Sequence, residues 1–251
     1  MMYSATIHQP YFLPWIGYFS KLIHSDYFIV LDDVMYRDWF FHKRAVIKNM
    51  NKVEQKLSLP VGHNHKTPLS EVKIPKDKAL IFFRKMANTM IHTYSKQPFF
   101  KEEWSAFASV FESTIATKIY LVDINIELIR YFMTIFEISH VKMEKSSEIA
   151  KGKSFENPTD RIVYLCEKKK INQVITGVGG SDKVHDKDCL HRQKICFLKQ
   201  DFNTAFGSIS GKYPNVIPTY SVIDSLFKNG RAMITKLLKE DVFIPQREIQ
   251  T

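Results

Sequence analysis

The sequence predicts an α/β protein: a mostly parallel, Rossmann-like sheet with crossover helices and a helical middle segment. Three observations carry this. Short β-prone runs near both ends of the chain alternate with helical periods. The run Asp26-Tyr27-Phe28-Ile29-Val30-Leu31 is apolar without alternation, as a strand covered on both faces must be. Between about residues 76 and 139 only helical periods occur. The chain of 251 residues is long enough to bury a large core. No linker divides it, so it reads as a single domain over 1–251 with a helical subdomain at about 76–139.

Taken in order, Tyr3 to Ile7 is a strand that ends at His8-Gln9-Pro10, where the proline holds Gln9 extended. Pro14 suits the first position of a helix, and Trp15, Tyr18, Phe19, Leu22 and Ile23 then fall at helical spacing. The apolar strand at 26–31 leaves through Asp32-Asp33. Strand-like pieces follow at Val53 to Pro60 and Glu71 to Ile74, around a polar loop at Gly62 to Thr67. Helices are expected at Lys78 to Tyr94, Lys101 to Thr117 and Leu121 to Ile138, and a β-prone piece near His140 to Met143. Asn157 is placed to cap a helix that has Pro158 in its first turn and runs to Lys170. Gln173 to Thr176 is the next strand. It enters Gly177-Val178-Gly179-Gly180.

Lys and Arg total 36 against 26 Asp and Glu, a net charge of +10 that attracts anions. The basic residues are scattered in short groups, which also suits a solvated surface. A nucleotide-linked sugar or similar anionic small molecule is the expected partner, and nucleic acid is disfavoured because no continuous basic tract exists. No stretch approaches the roughly 18 apolar residues of a membrane span, and the first residues lack a signal-peptide pattern. Three cysteines without a CxxC pair fit a reducing compartment. A cytoplasmic protein is expected, with peripheral membrane contact left open.

The strongest local feature is the run from His8 to Trp15, lying where a strand gives way to a helix. Ligands of open α/β sheets bind beyond the carboxyl ends of strands. His8 there can serve as a base or meet a phosphate, Gln9 can bind substrate, and Tyr11 and Trp15 can form a binding wall. The same residues also suit a proline-rich turn with its aromatics in the core. Asp32 and Asp33 can bind a metal, accept a proton or orient a hydroxyl, or simply cap a turn. Tyr36 and Arg44, with Arg37, His42 and Lys43, make a mixed aromatic and basic patch suited to phosphate contacts.

Gly177, Gly179 and Gly180 form a Gly-rich loop whose backbone can approach a phosphate, although the spacing is neither a dinucleotide fingerprint nor a P-loop. Ser221 can cap a helix with Asp224 in its first turn, or both can contact substrate; Asn229-Gly230 marks an interruption. His185, Cys189, His191 and Cys196 match no zinc spacing, so no metal is expected, and Cys166 reads as a buried thiol in an apolar helix stripe.

Five blocks carry a resemblance that covers about 230 residues: IHQPYFLPWIGYF, DYFIVLDDV, NPTDRIVYLC, VITGVGG and YPNVIPTYSVIDSLFKNG. In this order they resemble the WbqC-like family. The resemblance implies a role in building O-antigen or another surface glycan. Where that family carries LDDVQ and NRN, this chain has Met35 after Asp33-Val34, then His42-Lys43-Arg44, so family residue roles do not carry over directly between Met35 and Ile47, and whether the substrate also differs stays open. The leading expectation is an N-acyl or aminoacyl transferase acting on a nucleotide-linked amino sugar. His8 would be its base, Gln9 with Asp32 or Asp33 would orient substrate, and the 177–180 loop would hold phosphate. An acyl donor would be its co-substrate. A noncatalytic adaptor of polysaccharide enzymes and a nucleotidylyltransferase-like enzyme are the alternatives.

Overall fold

The computed structural model describes residues 2–38, 41–49, 51, 53–62, 66–177, 184–200 and 220–239, and the backbone of 245–247. Its centre is a sheet of β1 (Tyr3–His8), β2 (Tyr27–Val30), β5 (Lys142–Lys145), β6 (Ile171–Thr176), β7 (Cys196–Gln200) and β8 (Pro245–Arg247), in the order β5-β2-β1-β6-β7-β8. The first five of that order run parallel, and β8 pairs antiparallel with β7 at the edge. The α/β expectation holds. A separate hairpin joins β3 (Arg44–Lys48) to β4 (Glu54–Ser58).

Both faces of the sheet are covered, which is why β2 needs no polar alternation. Phe28 and Val30 enter one core, while Ile29 enters the other. The first core is roofed by α1 (Ile16–Ile23), α2 (Lys76–Tyr94), α3 (Phe100–Thr117), α4 (Leu121–Ile135), the hairpin and α8 (Val222–Lys239). The second core gathers Ala5, Ile171 and Val174 of the sheet under α6 (Pro158–Lys169), with Ala150 beside α5 (Ser146–Ile149) and Leu190 from α7 (Lys187–Arg192). α6 begins where the sequence places it: the Asn157 side chain accepts from the Asp160 N–H at 3.0 Å, and Pro158 needs no donor of its own.

Four local expectations change. Pro14 does not open α1; Trp15 is its N-cap and remains extended, because it bridges to Ser221 while the Pro14 carbonyl accepts from the Val222 N–H at 2.8 Å. Leu13, at φ 43°, makes the left-handed step before it. Residues 71–74 are not a strand but the end of a 3-10 turn at Leu69–Glu71, followed by a single bridge from Lys73 to Tyr120. The strand expected at 53–60 is confined to β4 and pairs only in the hairpin, with its alternate residues exposed. Ser221 does not cap α8 through its hydroxyl, which is buried without a partner; its carbonyl accepts from the Asp224 N–H instead. The interruption at Asn229-Gly230 is real: Gly230 sits at φ 74° and ψ 161° and kinks α8.

Candidate functional site

The carboxyl end of β1 delivers His8 to the edge of the sheet on the α1 side. The next residue, Gln9, supplies a carbonyl that accepts from the Tyr18 hydroxyl at 3.0 Å and lies 2.9 Å from His8 Nδ1. A carbonyl can only accept, so Nδ1 carries the proton and Nε2 is left with the lone pair. The ring stands edge-on to Tyr11 (4.7 Å) and Tyr18 (5.0 Å). Burial holds its pKa well below 6.5, the nearby Lys21 charge adds to this, and the Gln9 carbonyl works in the opposite direction. His8 is therefore a neutral imidazole of fixed tautomer. Its geometry suits a proton acceptor at Nε2.

A second histidine backs this group. His42, fully buried, lies with Nε2 2.7 Å from the Gln9 side-chain oxygen, and burial followed by the Arg37 charge lowers its pKa to about 4. The Asn125 amide, projecting from α4, donates to the Pro10 carbonyl at 3.0 Å and to the His42 carbonyl at 2.7 Å. The Phe12 N–H donates to the Phe41 carbonyl at 3.0 Å. These bonds fasten the loop after β1 to the segment before β3. Gln9, Tyr11 and His42 thus share one site with His8.

The other predicted residues are engaged with partners of their own. Asp32 is buried and accepts from the Ser147 N–H (3.0 Å) and the Ser147 hydroxyl (2.6 Å). Asp33 accepts from Ser146 Oγ at 2.6 Å and from Arg161 at 3.3 Å. The acidic pair accordingly ties the end of β2 to α5 and α6. Tyr36 donates to Asp38, which also pairs with Lys43 and Arg44, so Arg44 is engaged with a carboxylate. Asp224 is fully buried between Tyr94, whose hydroxyl donates at 2.6 Å, and Lys228 at 2.7 Å, joining α8 to α2. Ser221 meets Trp15 through a backbone bridge. Gly177 directly follows β6 at the carboxyl edge of the sheet, while Gly179 and Gly180 lie outside the described residues.

Three residues of this edge escaped the sequence reading. Lys21 lies buried on α1 with its ammonium 5.4 Å from the Tyr18 ring centre. Asn125 is the clamp just described. Gln200, at the end of β7, donates to the Gly17 carbonyl at 2.9 Å. Lys21 and Asn125 are polar residues inside otherwise apolar helical periods, the signal that would have found them, whereas Gln200 lies in the polar run Lys199-Gln200-Asp201 and carries no such signal.

Among the described residues no group of three or more His, Cys, Asp or Glu is arranged to hold a metal. The His185 ring packs edge-on to Phe197, and burial pushes the Cys166 thiol up to about 12. No helix among the described residues is long and apolar enough to cross a membrane. A polar cleft of about 370 Å³, lined by Asn49, Asn51, Gln55, Asn88, Thr89 and His92 among others, opens between the hairpin and α2 and contains none of the predicted residues.

The chain is similar to a Mycobacterium tuberculosis (strain ATCC 25618 / H37Rv) protein described as "Uncharacterized protein Rv1507c", at 23% identity over 244 residues, spanning 91% of this chain and 95% of that protein. No solved structure matches it. The family model for WbqC-like proteins matches residues 9–236, a span that begins inside the histidine loop and ends within α8, and the chain therefore belongs to the WbqC-like protein family.

Proposed function

We propose that the protein is a transferase that places an acyl or aminoacyl group on the amine of a nucleotide-linked amino sugar, for O-antigen or another surface glycan. The observation that carries this reading is the neutral His8 imidazole, protonated on Nδ1 by its bond to the Gln9 carbonyl and basic on Nε2 at the carboxyl edge of a parallel sheet. In the reaction the sugar amine attacks the donor's carbonyl carbon. A C–N bond forms and the bond to the donor's leaving group breaks. His8 Nε2 takes the proton that the amine sheds and returns it to the leaving group. Tyr11, half-buried against His8, offers a wall for the sugar, and the net charge of +10 favours an anionic substrate. Asp32 and Asp33 act by anchoring the end of β2 to α5 and α6.

The test incubates the purified chain with nucleotide-linked amino sugars and a panel of acyl and aminoacyl donors, read by mass spectrometry. Product is expected with one donor, and His8→Asn should slow its formation by about 10²–10⁴-fold. No mass change with any donor would sink the reading. A noncatalytic adaptor is the second reading, favoured by the exposed Leu80, Ile81 and Ile91 on α2. It requires that His8→Asn leave glycan assembly in cells intact while Ile81→Asp abolishes it.

A further inference from the structure

Lys21 is a buried lysine without a counter-charge among the described residues. No hydrogen bond or ion pair joins its ammonium to a described residue. Its backbone carbonyl is held by the Thr6 and Ser25 hydroxyls, at 3.1 and 2.8 Å, so the residue is fixed in place on α1. Helical side chains lean toward the helix N-terminus. The long stem of Lys21 therefore runs from the level of Thr6 back toward Gly17 and the end of β1. There its charge acts on the His8 ring.

The strands converge on the same spot. Ala5 pairs with Val174 and Thr176 with Lys199, and continuing both registers sets His8, Gly177 and Gln200 side by side on three adjacent strands. Gln200, buried, directs its amide N–H to the Gly17 carbonyl, one helical turn before Lys21. That leaves its side-chain oxygen buried without a partner. Between His8 and Gln200 stands a glycine, and among the described residues nothing lies within 4 Å of where a side chain on Gly177 would begin. Among the described residues, a gap is thus flanked by the unpaired ammonium of a buried lysine and by a buried, unpaired acceptor.

We propose that Lys21 and Gln200 form a binding site over Gly177 for a phosphate ester that carries a hydroxyl group. Lys21 meets the phosphate, and the Gln200 oxygen accepts from the hydroxyl. A buried ammonium and a buried amide oxygen are both costly alone, and one such ligand satisfies both. The inference deepens the transferase reading and rests on it for the class of substrate, since it names the side chains that meet the sugar phosphate.

Burial lowers the Lys21 amine to about 7, so the free protein holds it partly neutral, and an arriving dianion draws a proton onto it. Among the described residues, the titratable groups around it are His8 at the end of β1, Tyr18 on its own helix, and Tyr11 and His42 behind the His8 ring. None of these supplies an anion near neutral pH: burial raises both tyrosines above 10.

Calorimetric titration of the full chain with sulfate, at about pH 8 in two buffers of different ionisation heat, tests the site. Sulfate does not titrate there, so proton uptake approaching one per ion bound reports the lysine. Lys21→Met, nearly the same size and free of the buried amine, should fold, bind sulfate at least about tenfold more weakly, and lose the uptake. Gln200→Leu should spare sulfate but weaken a hexose 1-phosphate by roughly tenfold, its hydroxyl having lost the acceptor. Unchanged sulfate affinity in Lys21→Met, or binding to the wild type without proton uptake, overturns the proposal. Lysine-dependent sulfate binding without any transfer product leaves the site standing and removes the transferase. Product formation by Lys21→Met with unchanged KM does the reverse.

Discussion

Replacing Asn125 by leucine removes the clamp that holds the histidine loop to the segment before β3, and the cost follows from the bonds it makes. Its amide donates to two carbonyls, those of Pro10 and His42, in a fully buried setting. Leucine fills a similar volume and leaves both carbonyls unpaired, at about 1–3 kcal/mol each. Some of this is offset, because the Asn125 oxygen is itself buried without a partner and its burial cost disappears. The net loss is about 2–4 kcal/mol, which for a domain of this length lowers Tm by roughly 5–15 °C. Urea denaturation at neutral pH measures the first figure and calorimetry the second. Proton NMR of the histidine ring follows the site: once the clamp is gone, His42 should titrate above its value of about 4 and approach 6.5 as water reaches it. Asn125→Asp keeps the size, loses both donors and should cost at least as much. A loss under about 1 kcal/mol, with His42 still titrating near 4, would refute the reasoning.

Three further predictions follow from burial and backbone geometry. His8 and His42 both titrate below 6.5 in the fold, so as pH falls the unfolded chain takes up their protons first. The stability tied to their neutral forms is complete above pH 6.5 and declines below it, through about 4 for His42; a His8→Asn, His42→Gln double variant should show a flatter urea-midpoint profile over that window. Lys21 titrates near 10.5 unfolded and about 7 folded, so its burial costs on the order of 4 kcal/mol at neutral pH. Lys21→Met should be more stable than the wild type by up to that amount near pH 7, with the gap closing as pH rises toward 10.5; equal stability at both ends would contradict a desolvated amine. Gly230→Ala should cost about 2–4 kcal/mol in chemical denaturation, because that backbone region is nearly exclusive to glycine. The added methyl would also lie 2.7 Å from the Phe99 ring, and Phe99→Leu should recover only the part due to that contact.

The sequence by itself determined three of the sheet's inner strands, β1, β2 and β6, together with the long helices and the edge at which the histidine loop emerges, while β7 went unread. These depend on local period: an unbroken apolar run must be covered on both faces, and Asn157-Pro158 caps a helix without help from distant residues. Helix ends were legible to within a few residues, as Lys78 against Lys76 and Ile138 against Ile135 illustrate. What the tertiary structure decided was partnership. Asp32 and Asp33 read equally as site carboxylates or as caps of a turn until α5 and α6 bring Ser146, Ser147 and Arg161 to them across more than a hundred residues. Ser221 looks like a cap until Trp15 and Val46 claim its backbone. Conversely, Lys21 and Gln200 look like ordinary polar residues, one on a helix and one at a strand end. They become a paired feature only because two parallel registers and one helix bring them to the same gap beside His8. Local period is written in neighbouring residues, whereas burial of a charge depends on everything that folds around it.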